Sequence, residues 1–73
     1  MANSEVRSEV AGSVWKIETK VDDIVGEGDT LIIIESMKME IPVLATDSGR
    51  VAEIRVAEGE AVAEGQIVVV IVT

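Results

Sequence analysis

Among the 73 residues there is no cysteine, no histidine, no phenylalanine and no tyrosine. Without cysteine, a small fold has no disulfide staple and no thiolate for a metal. Without histidine or cysteine, neither a Ser-His-Asp nor a Cys-His nucleophile can be assembled. A zinc site would lack its usual donors as well. Proline occurs once, at Pro42, and the only aromatic is Trp15, so the core has to be aliphatic. Fourteen acidic residues are present, but no Asp-x-Asp-x-Asp-Gly loop arranges them for calcium. So short a chain also leaves little room for a substrate cleft, and paired-carboxylate glycoside chemistry is not expected. The sequence reads as a protein that is not an enzyme.

Other signals are missing too. Gly26-Glu27-Gly28 lacks the third glycine and the flanking strand and helix of a dinucleotide motif, and reads as a turn. Met1 to Glu5 has neither the basic nor the apolar part of a signal peptide, so a cytoplasmic location is expected. The apolar run Ile67 to Val72 is too short to span a membrane as a helix. Six basic against fourteen acidic residues give a net charge of −8. Such a chain repels nucleic acid and anionic membranes, and it should stay soluble and monomeric. Its natural complement is a partner with a basic docking surface.

What the chain does contain is aliphatic. Hydrophobic residues make up 48% of it, mostly Val and Ile, a bias that favours strands. Residues 1–73 are expected to form one domain near the lower size limit for folding alone, since a chain this small buries only about 60% of its unfolded surface. The sequence also repeats itself at an offset of 37 residues: Gly12 matches Gly49, Val14 Val51, Ile17 Ile54, Val25 Val62, Glu27-Gly28 Glu64-Gly65, and Ile34 Ile71. Each half reads as a strand after its glycine (13–19, then 50–56), an acidic loop with a short apolar touch (22–29, then 58–66), and a closing strand (30–35, then 67–72). Many short strands with regular turn signals imply a sandwich or flattened barrel, here with an internal pseudo-two-fold. Closure protects edges that such aliphatic strands could not safely expose. Trp15 reads as core or shallow surface.

The hexapeptide Glu35-Ser36-Met37-Lys38-Met39-Glu40 lies between two apolar runs, Leu31 to Ile34 and Ile41 to Leu44, and reads as the tip of a β-hairpin. A two-residue turn prefers Asn-Gly or Asp-Gly, because both central residues need a positive φ. Met37-Lys38 is poor turn chemistry by that standard, so something other than folding selected it. Such a turn pairs Ser36 with Met39 and sets Glu35 against Glu40, an unfavourable like-charge pair. Methionines are adaptable contact residues and costly to expose. Shifting position 38 by 37 lands on the chain ends, so the repeat places the termini at one end of the molecule and Lys38 at the other. Lys38 is thus presented alone. A lysine side chain is protonated and a poor nucleophile at neutral pH, so acylation there requires an enzyme.

Ser36-Met37-Lys38-Met39-Glu40 closely resembles the Ala-Met-Lys-Met-Glu signature of the biotinyl/lipoyl attachment domain family. The likeness runs from about Val6 to Val72. Ala11-Gly12-Ser13-Val14 is similar to the family's opening strand turn, and Gly28 to Glu35 to the approach to the signature. Val43 and Ala45 resemble its exit, and 57–62 with 64–66 resemble the second half. The resemblance implies an all-β flattened barrel (a barrel-sandwich hybrid) of two four-stranded antiparallel sheets. It implies covalent biotin on Lys38, transferred from biotinyl-adenylate by a biotin protein ligase that recognises Glu35, Ser36, Met37, Met39 and Glu40. The implied carrier moves carboxylate between a biotin carboxylase and a carboxyltransferase. Lipoate from a lipoyl ligase is the alternative load, and an unmodified binding module is the reading from another class. Lipoyl relatives usually flank the lysine with Asp and with Ala or Val, so Met37 and Met39 favour biotin. The chain departs from many relatives at Ser8-Glu9 and Ala45-Thr46, where Ala-Pro is common, at Ser36, and at Ile41-Pro42. It also lacks a protruding "thumb" between Trp15 and Gly28.

Overall fold

Aliphatic runs separated by acidic, glycine-bearing loops become eight strands in the computed structural model, which describes residues 2–73. They are β1 (Asn3–Arg7), β2 (Gly12–Ile17), β3 (Ile24–Val25), β4 (Thr30–Ser36), β5 (Met39–Leu44), β6 (Gly49–Ile54), β7 (Ala61–Val62) and β8 (Ile67–Val72). Two four-stranded sheets form, β1-β8-β6-β3 and β5-β4-β2-β7. All their pairings are antiparallel. The repeat maps one sheet onto the other strand for strand, with β1 answering β5, β8 answering β4, β6 answering β2 and β3 answering β7. Val6 and Val43 are a further identity at the same offset.

The symmetry reaches individual hydrogen bonds. Asp22 N–H donates to Val51 O at 2.8 Å, and Gly59 N–H to Val14 O at 2.7 Å. The carboxylate of Asp23 accepts from Lys20 N–H, just as that of Glu60 accepts from Ala57 N–H. Register shifts also recur, between Val14 and Lys16 and again between Val51 and Glu53. Another pair falls at Leu31 and Val68. A bulge lets neighbouring residues escape strict alternation. That is why Leu31-Ile32 and Val68-Val69 are consecutive yet wholly buried. With Val14, Ile34, Val51 and Ile71 they form one aliphatic core between the sheets.

Two readings change in detail. The strands after the glycines begin at Gly12 and Gly49 themselves and stop at Ile17 and Ile54, short of 19 and 56. The apolar touches in the loops are two-residue strands, β3 and β7, pairing with β6 and β2. β1 carries only one buried residue, Val6, so it had no apolar pattern to announce it. Trp15 lies at the surface, 44% exposed.

Candidate functional site

β4 and β5 are joined by Met37 and Lys38, whose φ angles are +51° and +66°. Two consecutive positive φ values make the primed turn that matches strand twist. The register below it is Ser36 to Met39, Glu35 to Glu40 and Ile34 to Ile41, as the sequence predicts. Glycine or asparagine would adopt these angles easily, whereas each ordinary side chain costs on the order of 1 kcal/mol there. The turn is held in that state by what lies beneath it. Ile34 is fully buried, and Ser36 Oγ donates to the carbonyl oxygen of Ala11 at 2.8 Å, tying the hairpin root to the β1–β2 crossover. Sequence reading missed this bond, because it joins residues 25 apart.

Lys38 is exposed at the crest, and among the described residues it makes no ion pair. Its neighbours Met37 and Met39 are 93% and 64% exposed, so the tip is an apolar knob around one ammonium. Glu35 and Glu40 are also exposed, set across the two strands from each other, while Ser36 is half-buried. All six residues singled out in the sequence therefore converge on one hairpin end.

The opposite end holds Ala2 and Thr73. Thr73 N–H donates to Ala2 O at 2.9 Å, occupying the place that the Ser36–Met39 pair has in the other half. β1 carries the chain away from there to Ala11 beside the hairpin root, and β5 carries it back to Asp47, which accepts from Ser4 Oγ. A six-residue strand advances about 20 Å, and the molecule is 36 Å long and 18 Å across. Lys38 and the chain ends are thus separated along the long axis.

The other lysines are placed differently. Lys16 lies on β2 with its Nζ 5.6 Å from the centre of the Trp15 ring, and Lys20 sits in the loop after β2. A groove of about 470 Å³ opens between the edge strands β1 and β5, lined by Val6, Val10, Pro42 and Leu44 with Glu9 and Glu27. This is more concavity than the sequence led us to expect. Among the described residues no cluster of acidic side chains is arranged to hold a metal, and no helix is long and apolar enough to cross a membrane.

Comparison with known proteins gives the geometry a context. The biotin/lipoyl family model, described as "Biotin-requiring enzyme", matches residues 2–71. A biotinylated protein TB7.3 homolog of Mycobacterium leprae is 42% identical over 92% of this chain and 94% of its own length. A biotin/lipoyl attachment protein of Bacillus subtilis is 44% identical over 85% of each chain. Among solved structures, the urea carboxylase of Kluyveromyces lactis superposes with a TM-score of 0.93 at 43% identity. The match covers 99% of this chain but only 6% of that enzyme.

Proposed function

The chain belongs to the biotin/lipoyl attachment family, and on that premise we propose that Lys38 is its acceptor residue, loaded with biotin by a biotin protein ligase. The supporting observation is the crest itself: one exposed amine, in no ion pair among the described residues, on a turn held by the β4–β5 ladder. The residues fit the group, because amide formation needs only a reachable amine and space around it. In the loading step, Lys38 Nζ gives up a proton to a base in the ligase and attacks the activated carboxyl carbon of biotinyl-adenylate. The C–N bond forms and AMP leaves. Lys16 and Lys20 are ignored because neither stands on a hairpin crest, so the folded turn is what the ligase recognises, together with Met37, Met39, Glu35, Ser36 and Glu40.

When bound, biotin carries carboxylate between active sites. The chain's own contribution is mechanical. The barrel is a rigid base and the lysine side chain a flexible arm, so each delivery is intramolecular once a partner is engaged. A biotin carboxylase and a carboxyltransferase are the partners this reading calls for, with the protein acting as a cytoplasmic monomer. Intact mass of the protein from its own cells, followed by peptide mapping, tests the assignment. A biotin-sized addition on Lys38 is expected, lost in Lys38→Arg with the fold unchanged. A lipoyl-sized addition would replace biotin in the scheme, and an addition on Lys16 or Lys20 in the mutant would refute it.

A further inference from the structure

The two-fold gives each sheet a counterpart against which its outer face can be compared. The core is duplicated, but the surfaces are not. On the β1-β8-β6-β3 sheet the central outward residue is Val70, paired with Glu5 on one side and Glu53 on the other, and only 5% exposed. Charges surround it: Arg7 pairs with Glu5 at 3.5 Å and Arg55 with Glu53 at 2.7 Å. A hydrogen bond and charge from Glu53, with a further pull from Glu5, hold the Arg55 guanidinium above its ordinary pKa. A third pair joins Arg50 of β6 to Asp22. This face satisfies its own charges.

The lysine-bearing sheet has the same backbone and a different surface. Ile33 takes the place of Val70, flanked by Pro42 and by the bulged pair Trp15 and Lys16. Ala52, Glu53 and Glu5 stand at the equivalent positions of the closed face. Ile33 is half-buried, Trp15 and Leu44 are 44% and 45% exposed, and Pro42 is exposed. Among the described residues, no ion pair crosses this face. Its rim carries Glu35 and Glu40 toward the hairpin and Glu18 just past the end of β2, against Lys16 on β2 and Lys20 in the loop beyond. An apolar centre with unneutralised carboxylates at its edge is what a partner with an apolar patch and a basic rim would cover.

We propose that the outer face of the β5-β4-β2-β7 sheet, centred on Trp15, Ile33 and Pro42, is the docking surface for a biotin carboxylase component bearing basic residues around an apolar patch. The inference rests on the carrier reading above. A ligase has to close over the amine at the crest itself. A partner acting on a group attached beyond Nζ has its reactive centre further from the turn, so it must take its affinity from surface alongside the hairpin. The open face continues directly from Met39 and Glu40 into Pro42.

The test uses ¹⁵N-labelled full chain carrying Lys38→Arg, titrated with a biotin carboxylase component identified by its ATP- and bicarbonate-dependent carboxylation of free biotin. Amide shifts and broadening are expected at Trp15, Lys16, Ile33 and Leu44, with Glu53, Arg55 and Val70 unmoved, and binding should weaken as salt is raised. The combined variant Trp15→Ala, Pro42→Ser removes the exposed apolar centre of the open face without changing its charge. With wild-type Lys38, this variant should load normally and show a KM for the carboxylase component at least tenfold higher. Shifts confined to the turn or to the other sheet, no shifts at all, or an unchanged KM would each overturn the proposal. So would slower loading with KM preserved, which would make the ligase the occupant. Because the titration needs no attached group, failure of docking is separate from failure of Lys38 to be loaded, which mass alone reports.

Discussion

At the scale of single residues, two side chains sit at backbone angles that suit neither. Met37 and Lys38 both hold positive φ without being glycine or asparagine. The proposed role of Lys38 depends on its amine, so the position free to test strain is 37. Met37→Asn should raise stability by about 0.5–1 kcal/mol, because asparagine tolerates the left-handed region that methionine resists. A denaturation midpoint unchanged or lowered would show that Met37 is comfortable where it is. The sequence showed this conflict before any coordinates, since two apolar runs closed by Met-Lys left no better turn. A parallel case was not legible. Asp22 has φ +79°, at the place where the other half uses Gly59. The segment expected as a loop over 22–29 also holds β3, and aspartate at its start gives no sign of a left-handed residue.

At the scale of elements, the glycines that begin β2 and β6 do more than open strands. A Cβ on Gly12 would collide with the Glu35 carbonyl and come within 2.9 Å of Ile34 Cγ2, and Gly49 meets Val72 and Ile71 in the same manner. Gly12→Ala should therefore cost about 1–3 kcal/mol through overpacking, and it should loosen the hairpin root where Glu35 lies. Urea unfolding measures the first effect. Equal stability of the variant would mean that β4 yields without penalty. The repeat pointed to both glycines, yet only pairing explains them, because close approach depends on which strand lies opposite. β1 is the element that pattern could not supply. Asn3-Ser4-Glu5-Val6-Arg7 is mostly polar, and it is a strand because β8 offers it a ladder and the core takes Val6.

At the scale of the whole molecule, charge is unbalanced. A net charge of −8 on 73 residues is relieved by only three ion pairs among the described residues, all exposed. Exposed pairs contribute little, whereas self-repulsion acts on the entire fold. Raising ionic strength should therefore raise Tm, as screening shortens the reach of like charges. A Tm that falls with salt would show that the pairs on the closed face outweigh the repulsion.

The sequence alone determined the aliphatic core, the duplicated β-unit and the lysine crest. Each of these follows from residue type, spacing and the turn between two apolar runs, and such signals are local. Tertiary structure decided how the halves interlock. Each sheet draws two strands from either half, so neither half closes a core without the other. Pairing across 25 or more residues is settled by which arrangement buries Val6, Val43 and the paired bulges while leaving few open edges. It also decided that one outer face has ion pairs beside its central valine and the other has none beside its isoleucine, because a face exists only once strands distant in the chain stand side by side.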